Sequence, residues 1–238
     1  MINQYFNYLQ EVFNKVKLNE EENIRKASEL IVNSISNDGR FFVFGTGHSH
    51  IIAEEIYLRA GGLAVVEAIL PDEVMLHQMP NKSTFIERLS GYSQELLNLY
   101  SVSPNDVILI ISNSGRNNVI VEMALAAKEK GMKVIGITSL EHSKNSPSRH
   151  TSGKRLFELC DVTINNHAPI GDANFEVGKH KVGAVSTFTG SAIVQALVTN
   201  VVAQLDALNI DVPIFKSSNI DNAQEYNDNL FVSYYGKK

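Results

Sequence analysis

The stretch from Asp106 to Thr138, DVILIISNSGRNNVIVEMALAAKEKGMKVIGIT, decides the fold. It opens with Asp106–Ile111 and closes with Lys133–Thr138, two short apolar runs of the kind that form strands buried on both faces. Between them Val121–Lys130 has the residues of a helix, and Gly131 is a stop signal. Strand, helix and strand joined by short links make a parallel crossover unit. Outward from it, Arg40–Phe44 and Leu63–Ala68 read as the first and second strands and Asp161–Ile164 as a weaker fifth. The predicted fold class is α/β, doubly wound, with a five-stranded parallel sheet.

Residues 5–35 carry apolar side chains at helical intervals (Phe6, Leu9, Phe13, then Ile24, Leu30, Ile31), which predicts two amphipathic helices broken near Leu18 and Asn19. A turn at Asn37-Asp38-Gly39 separates this extension, residues 1–37, from a main unit of residues 38–238. Leu70–Pro80 is irregular, Ser83–Tyr100 is expected to be one helix, and Glu141–Gly153 a polar loop. The apolar stripes of the extension exceed what a five-stranded sheet needs as cover, so a homodimer or homotetramer is expected.

The 238 residues carry 21 Lys+Arg against 26 Asp+Glu, a net charge of −5, and 44% are hydrophobic. Without a basic run, this balance excludes the electrostatic footprint of a nucleic-acid binder. Cys160 is the single cysteine, so one chain builds neither a disulfide nor a cysteine-based metal centre. The N-terminal residues interrupt every apolar run, which predicts neither a signal peptide nor a membrane partner, and a cytoplasmic location.

In an open parallel sheet, ligands bind beyond the carboxyl ends of the strands, where helix N-termini present free N–H groups to anions. Three junctions there are rich in glycine and hydroxyls. The first holds Gly47, His48 and Ser49; the second Ser112, Asn113, Ser114 and Asn117; the third Ser186 and Thr187, at the start of the last long helix. Singly, each reads as a turn or helix cap, but three at matching positions point to one anion site. A competing reading is dinucleotide binding, since Gly45 and Gly47 follow the first strand and Glu67 lies twenty residues beyond Gly47 at the end of the second. The third glycine of that fingerprint is replaced by His50, and the SNSGRN loop is left unexplained.

The segment ILIISNSGRNNVIVEMALAAKEKGMKVIGITS resembles the centre of sugar isomerase (SIS) domains. FVFGTGHSHIIAEEI is similar to that family's first strand and loop, and VGAVSTFTGSAIVQAL to its last helix. Within the family the chain looks most similar to stand-alone proteins often labelled phosphosugar or phosphoheptose isomerases. The resemblance implies a flavodoxin-like five-stranded sheet, a sugar phosphate ligand without cofactor, and a site completed across a subunit interface. It also implies that Ser112, Asn113, Ser114 and Asn117 form the phosphate loop, joined by Ser49, Ser186 and Thr187. One departure stands out: ten residues after the first-loop serine, where related isomerases carry a catalytic Glu, this chain has Arg59.

Aldose–ketose isomerisation needs an acid and a base near the sugar's first two carbons. Glu176 and His180, just ahead of Ser186, are the candidate pair, with Glu55 and His48 next. His142 and His150 share the polar loop where a cover over the site would lie. Glu176 and His180 are also the one histidine–carboxylate pair at ligand spacing, but Gly171 and Gly178 oppose a regular helix there, so no metal is expected. Two functions stay open beside the dinucleotide reading: an isomerase acting on a sugar phosphate, and a sugar-phosphate sensor without turnover.

Overall fold

The structure, a computed structural model, describes residues 1–236. In chain order the elements are α1 (Ile2–Asn19), α2 (Glu21–Ser36), β1 (Phe41–Gly45), α3 (Ser49–Glu54), β2 (Val66–Ile69), α4 (Lys82–Ile86), α5 (Tyr92–Asn98) and β3 (Val107–Ile111). They continue with α6 (Asn118–Glu129), β4 (Lys133–Thr138), α7 (Leu140–Lys144), β5 (Val162–Asn165), β6 (Ala173–Val177), β7 (His180–Ala184), α8 (Ser186–Ala207) and α9 (Ala223–Tyr234). The five-stranded sheet has the order β2-β1-β3-β4-β5 and every pair is parallel. This is the flavodoxin-like doubly wound arrangement.

Alternation along the strands divides the core. Phe41, Val43, Val107, Leu109, Ile111, Ile135 and Ile137 face α2, α3 and α8, while Phe42, Phe44, Ile108, Ile110 and Val134 face α5 and α6. Both faces are therefore apolar, which is why these strands read as continuous hydrophobic runs. Among the described residues, α8 is the one helix long and apolar enough to cross a membrane. It is a core helix, because Ile193, Val194, Leu197, Val201 and Leu205 are buried within the first cluster. Gly136 sits in mid-strand because Cys160 packs there: a Cβ at Gly136 would come within 2.5 Å of the sulfur. Burial pushes the Cys160 thiol up to about 12, so it is an inert packing group.

Several local expectations need correction. The second strand starts at Val66 rather than Leu63; Leu63 instead bridges Ile214 of the C-terminal segment. The run Ser83–Tyr100 is two short helices, α4 and α5, interrupted at Gly91, whose φ of 82° lies in the left-handed region. The polar stretch after β4 begins with α7, its N-terminus capped by Ser139, which accepts from the His142 N–H at 3.0 Å. Residues 173–184, where no strand was expected, form an antiparallel hairpin of β6 and β7 turning at Gly178.

Candidate functional site

The connections from β1 and β3 leave the sheet in opposite directions, so the loops after these adjacent strands open a crevice at the topological switch point. In the first loop Gly47 has a φ of 56° and donates its N–H to Val74 O at 2.8 Å, tying the loop to the excursion that follows β2. Ser49 starts α3, and its hydroxyl has no protein partner among the described residues. His48 is exposed, whereas His50 is buried, its Nδ1 against the Gly47 carbonyl and its Nε2 3.8 Å from Glu54. Of the two histidines only His48 is accessible to a ligand.

Most polar groups of the second loop are committed to holding its shape. Ser112 Oγ accepts from the Gly115 N–H at 3.1 Å, and the Asn113 carbonyl accepts from Ser139 N at 3.0 Å and Thr138 Oγ1 at 3.1 Å. Asn113 Oδ1 accepts from Asn166 Nδ2 at 3.0 Å, which anchors the loop to the end of β5. Gly115 has a φ of 59°, and a Cβ there would lie 3.1 Å from Leu156 Cβ and 3.3 Å from two hydroxyls, so this position admits only glycine without strain. Ser114 is different: its hydroxyl is half-buried and has no protein partner among the described residues, beside the N-terminus of α6. It remains the donor best placed to meet an oxyanion.

Asn117 is the hub of the crevice. Its Nδ2 donates to Glu87 Oε2 at 2.6 Å, and its Oδ1 accepts from Arg149 Nη1 at 2.7 Å. Glu87 follows α4, its backbone carbonyl accepting from Val119 N at 3.2 Å, so α6 and the β2–β3 excursion fix it from two sides. The Glu87 carboxylate also takes a hydrogen bond from Thr46, and Glu87 Oε1 would lie 3.4 Å from a Cβ placed on Gly47. It therefore bridges the first and second loops. Burial holds the Glu87 carboxyl above the usual carboxylate range; hydrogen bonds from Thr46 and Asn117 and the charges of Arg149 and Arg88 oppose this without cancelling it. A half-buried carboxyl with a raised pKa, between two glycine-rich loops at a switch point, has the character of a general acid or base. Reading the sequence did not single it out. The available signal was Ser90-Gly91, which breaks the supposed helix and turns the segment back towards the sheet.

The third junction is organised by Asp172. Its Oδ1 accepts from Val185 N at 3.0 Å and Ser186 N at 2.8 Å, and its Oδ2 from Ser186 Oγ at 2.6 Å. A carboxylate from the base of the hairpin thus already caps α8, and Thr187 keeps the uncommitted hydroxyl. Nearby, the buried Tyr8 hydroxyl has no partner among the described residues. His142 accepts from Gly171 N at 3.3 Å through Nδ1, and burial together with Arg116 lowers its pKa despite the opposing charge of Asp172, which favours the neutral imidazole.

Glu176 and His180 lie on the hairpin. Phe175 packs its ring on Tyr5 and Tyr8 of α1, and Glu176, on the opposite side of the strand and paired in register with Lys181, is exposed, as is His180. Among the described residues no hydrogen bond or ion pair joins either to the second loop. Arg59 forms an ion pair with Glu55, which also accepts from Gln195 Nε2 at 3.0 Å. Glu67, the acid of the dinucleotide reading, is the second residue of β2 rather than its end, and pairs with Arg40 Nη1 at 2.9 Å. It faces away from the carboxyl ends where a ribose would sit.

Comparison with known proteins agrees with this architecture. The chain is 48% identical over 232 residues to a UPF0309 protein of Halalkalibacterium halodurans, spanning 97% of this chain and 96% of that one. It is 42% identical over 236 residues to a UPF0309 protein of Geobacillus kaustophilus, spanning 98% and 94%. Among solved structures, the phosphoheptose isomerase of Neisseria gonorrhoeae superposes with a TM-score of 0.59 at 20% identity, over 85% of this chain and 97% of that one. The phosphoheptose isomerase of Francisella tularensis gives 0.58 at 18%, over 84% and 95%. The family model for the SIS domain matches residues 4–139, taking in β1, β3 and both loops of the crevice, and the chain belongs to the SIS domain family.

Proposed function

We propose that this protein is a cytoplasmic phosphosugar-binding SIS protein that interconverts an aldose and a ketose phosphate, with the phosphate held by the Ser114 loop and Glu87 moving the proton. The supporting observation is the bridge made by Glu87: a half-buried carboxyl reaching Thr46 of the first loop and Asn117 of the second. A phosphate at Ser114 and the N-terminus of α6 leaves the sugar carbons to extend across the crevice towards Glu87. In this reading Gly47, Ser49 and Thr187 border the ligand, His48 is the histidine accessible to it, and Ser112, Asn113, Asn117 and Ser186 hold the frame. The fold likeness to phosphoheptose isomerases agrees with this ligand class. The alternative acid–base pair is Glu176 and His180, which the exposed hairpin would present to the crevice of a neighbouring copy.

A thermal-shift screen of sugar phosphates against nucleotides tests the ligand class, because a ligand that binds only the native state raises its melting temperature. Ser114→Ala is expected to weaken sugar-phosphate binding by ~1.5–3 kcal/mol, the loss of one charge-assisted hydrogen bond, with the melting temperature of the free protein preserved. Unchanged affinity by calorimetry would remove the loop from the site.

The helices of residues 1–37 are the proposed self-association element. Ile2 is 72% and Phe6 60% exposed on α1, and Val182 of the hairpin beside them is 43% exposed, a contiguous apolar surface suited to a second copy. Light scattering is expected to give at least the dimer mass at micromolar concentration, and Phe6→Glu to lower it; a monomeric wild type would end this reading.

A further inference from the structure

The chain has seven arginines, and their ion pairing is uneven. Arg25, Arg40, Arg59 and Arg155 each lie within 4.0 Å of a carboxylate. Arg88, Arg116 and Arg149 have no such pair among the described residues, and each is bonded to Asn117 or adjoins in the chain Asn117 or its partner Glu87. Arg149 donates to Asn117 Oδ1 at 2.7 Å, and its backbone N–H donates to Arg116 O at 2.9 Å. Arg88 directly follows Glu87, whose carboxylate holds the other end of the same Asn117 amide. The Nε of Arg116 is buried without a hydrogen-bond partner among the described residues.

Three guanidinium groups gathered with one carboxylate, Glu87, acting on Arg88 and Arg149 repel one another. Burial and then the charges of Arg116 and Arg88 pull Arg149 below the usual guanidinium value, outweighing Glu87. Glu87 is the one carboxylate reaching the cluster's hub, and its own burial favours the neutral form. Glu122, on α6, is engaged by Gly91 N at 2.9 and 3.0 Å and faces His150 Nε2 at 3.8 Å. In the proposed phosphosugar site the phosphate is met by Ser114 and the N-terminus of α6, which leaves the arginines to serve another part of the ligand. A guanidinium fork matches the planar geometry of a second oxyanion.

We propose that the sugar phosphate bound here carries a second anionic group, a carboxylate or a further phosphoryl group, received by Arg88, Arg116 and Arg149. This rests on the phosphosugar reading and narrows it to acidic sugar phosphates. Such a ligand neutralises the repulsion among the arginines and satisfies the orphaned Nε, so its second charge contributes selectivity as well as affinity.

The test is calorimetric titration of the full chain with glucose 6-phosphate, 6-phosphogluconate and fructose 1,6-bisphosphate. At least one of the two sugars that carry a second anionic group is expected to bind about tenfold or more tightly than glucose 6-phosphate, and the preferred one identifies carboxylate or phosphoryl as that group. Arg116→Gln and Arg149→Gln are expected to reduce that preference to about threefold or less, while Ser114→Ala weakens all three sugars by similar factors. Arg88→Gln, at an exposed side chain, carries the same expectation and remains informative if either other variant fails to fold. Equal binding of the three sugars with intact Ser114 dependence would overturn the second-anion proposal alone. A preference surviving in every arginine variant would also overturn it. Absence of binding by all three, with Ser114→Ala indistinguishable from wild type, would overturn the phosphosugar reading and this proposal together.

Discussion

Glu87→Gln is expected to abolish exchange of the substrate's C2 proton with deuterated solvent while sugar-phosphate affinity changes little. Gln keeps the shape and can still bond Asn117 and Thr46, but its amide cannot accept a carbon-bound proton. Loss of a general base costs ~10²–10⁴ in rate, well within the range of an NMR exchange assay. The pH dependence follows from the direction of the shift. Burial raises the Glu87 pKa, so the carboxylate that takes the proton predominates only above a pH higher than for an ordinary Glu, and the acid limb of kcat is displaced upward. The same shift acts on stability with the opposite sense. The native state keeps the Glu87 proton after the unfolded chain has lost it, so this group's contribution is complete below the unfolded pKa and fades as pH rises through the folded one. Exchange that persists in Glu87→Gln and disappears in Glu176→Gln would transfer the role to the hairpin. A wild type that binds sugar phosphates but exchanges no proton across a panel of aldose and ketose phosphates would leave a sensor.

The second large effect is on stability and lies at the junction of α1 and α2. Glu20 is buried to 4% exposure, where it accepts from Asn23 Nδ2 at 2.9 Å and Asn165 N at 3.1 Å, with His167 Nε2 2.8 Å from its other oxygen. One carboxylate thus ties the N-terminal helices to the end of edge strand β5. Burial alone would raise its pKa, but the hydrogen bonds of His167, Asn23 and Asn165 win and lower it. Glu20→Ala leaves these donors without their acceptor in a largely dry site, at a cost of ~2–4 kcal/mol in urea unfolding. Because the folded pKa is depressed, the contribution is present above the unfolded value and is lost as pH falls through the folded one. The wild-type advantage over Glu20→Ala is therefore expected to hold from neutral pH down to about pH 4 and to shrink as the pH falls further. A difference below ~0.5 kcal/mol at neutral pH would mean that β5 holds the helices without this carboxylate.

The two functional groups contrast in how they could be found. Ser114 lies directly after a strand and before a helix, so its position at the carboxyl edge follows from local pattern and the handedness of crossovers. Glu87 lies in an irregular excursion of residues 70–91, where neither period nor composition indicates direction. The Gly47–Val74 and Val119–Glu87 backbone bonds bring it to the crevice, and both join residues distant in the chain. Glu176 is placed by a contact of the same kind: the hairpin turning at Gly178 sets it opposite Lys181 and exposed, whereas along the chain it is marked only by preceding Ser186 by ten residues.

By itself the sequence determined the doubly wound sheet, its five strands and the loops that meet at the β1/β3 switch point. Buried parallel strands and amphipathic helices write their periods locally, and chirality leaves few ways to connect them. Only the tertiary structure decided which polar groups within those loops stay free. Ser112, Asn113 and Ser186 look equivalent to Ser114 along the chain, yet hydrogen bonds from Gly115 and Asn166 to the first two, and from Ser186 to Asp172, commit them to the frame. Such bonds depend on partners brought from elsewhere in the chain or on a left-handed turn, and so does the approach of Arg88 and Arg149 to Glu87. No local rule encodes those encounters, because their geometry exists only after the sheet and its helices have packed.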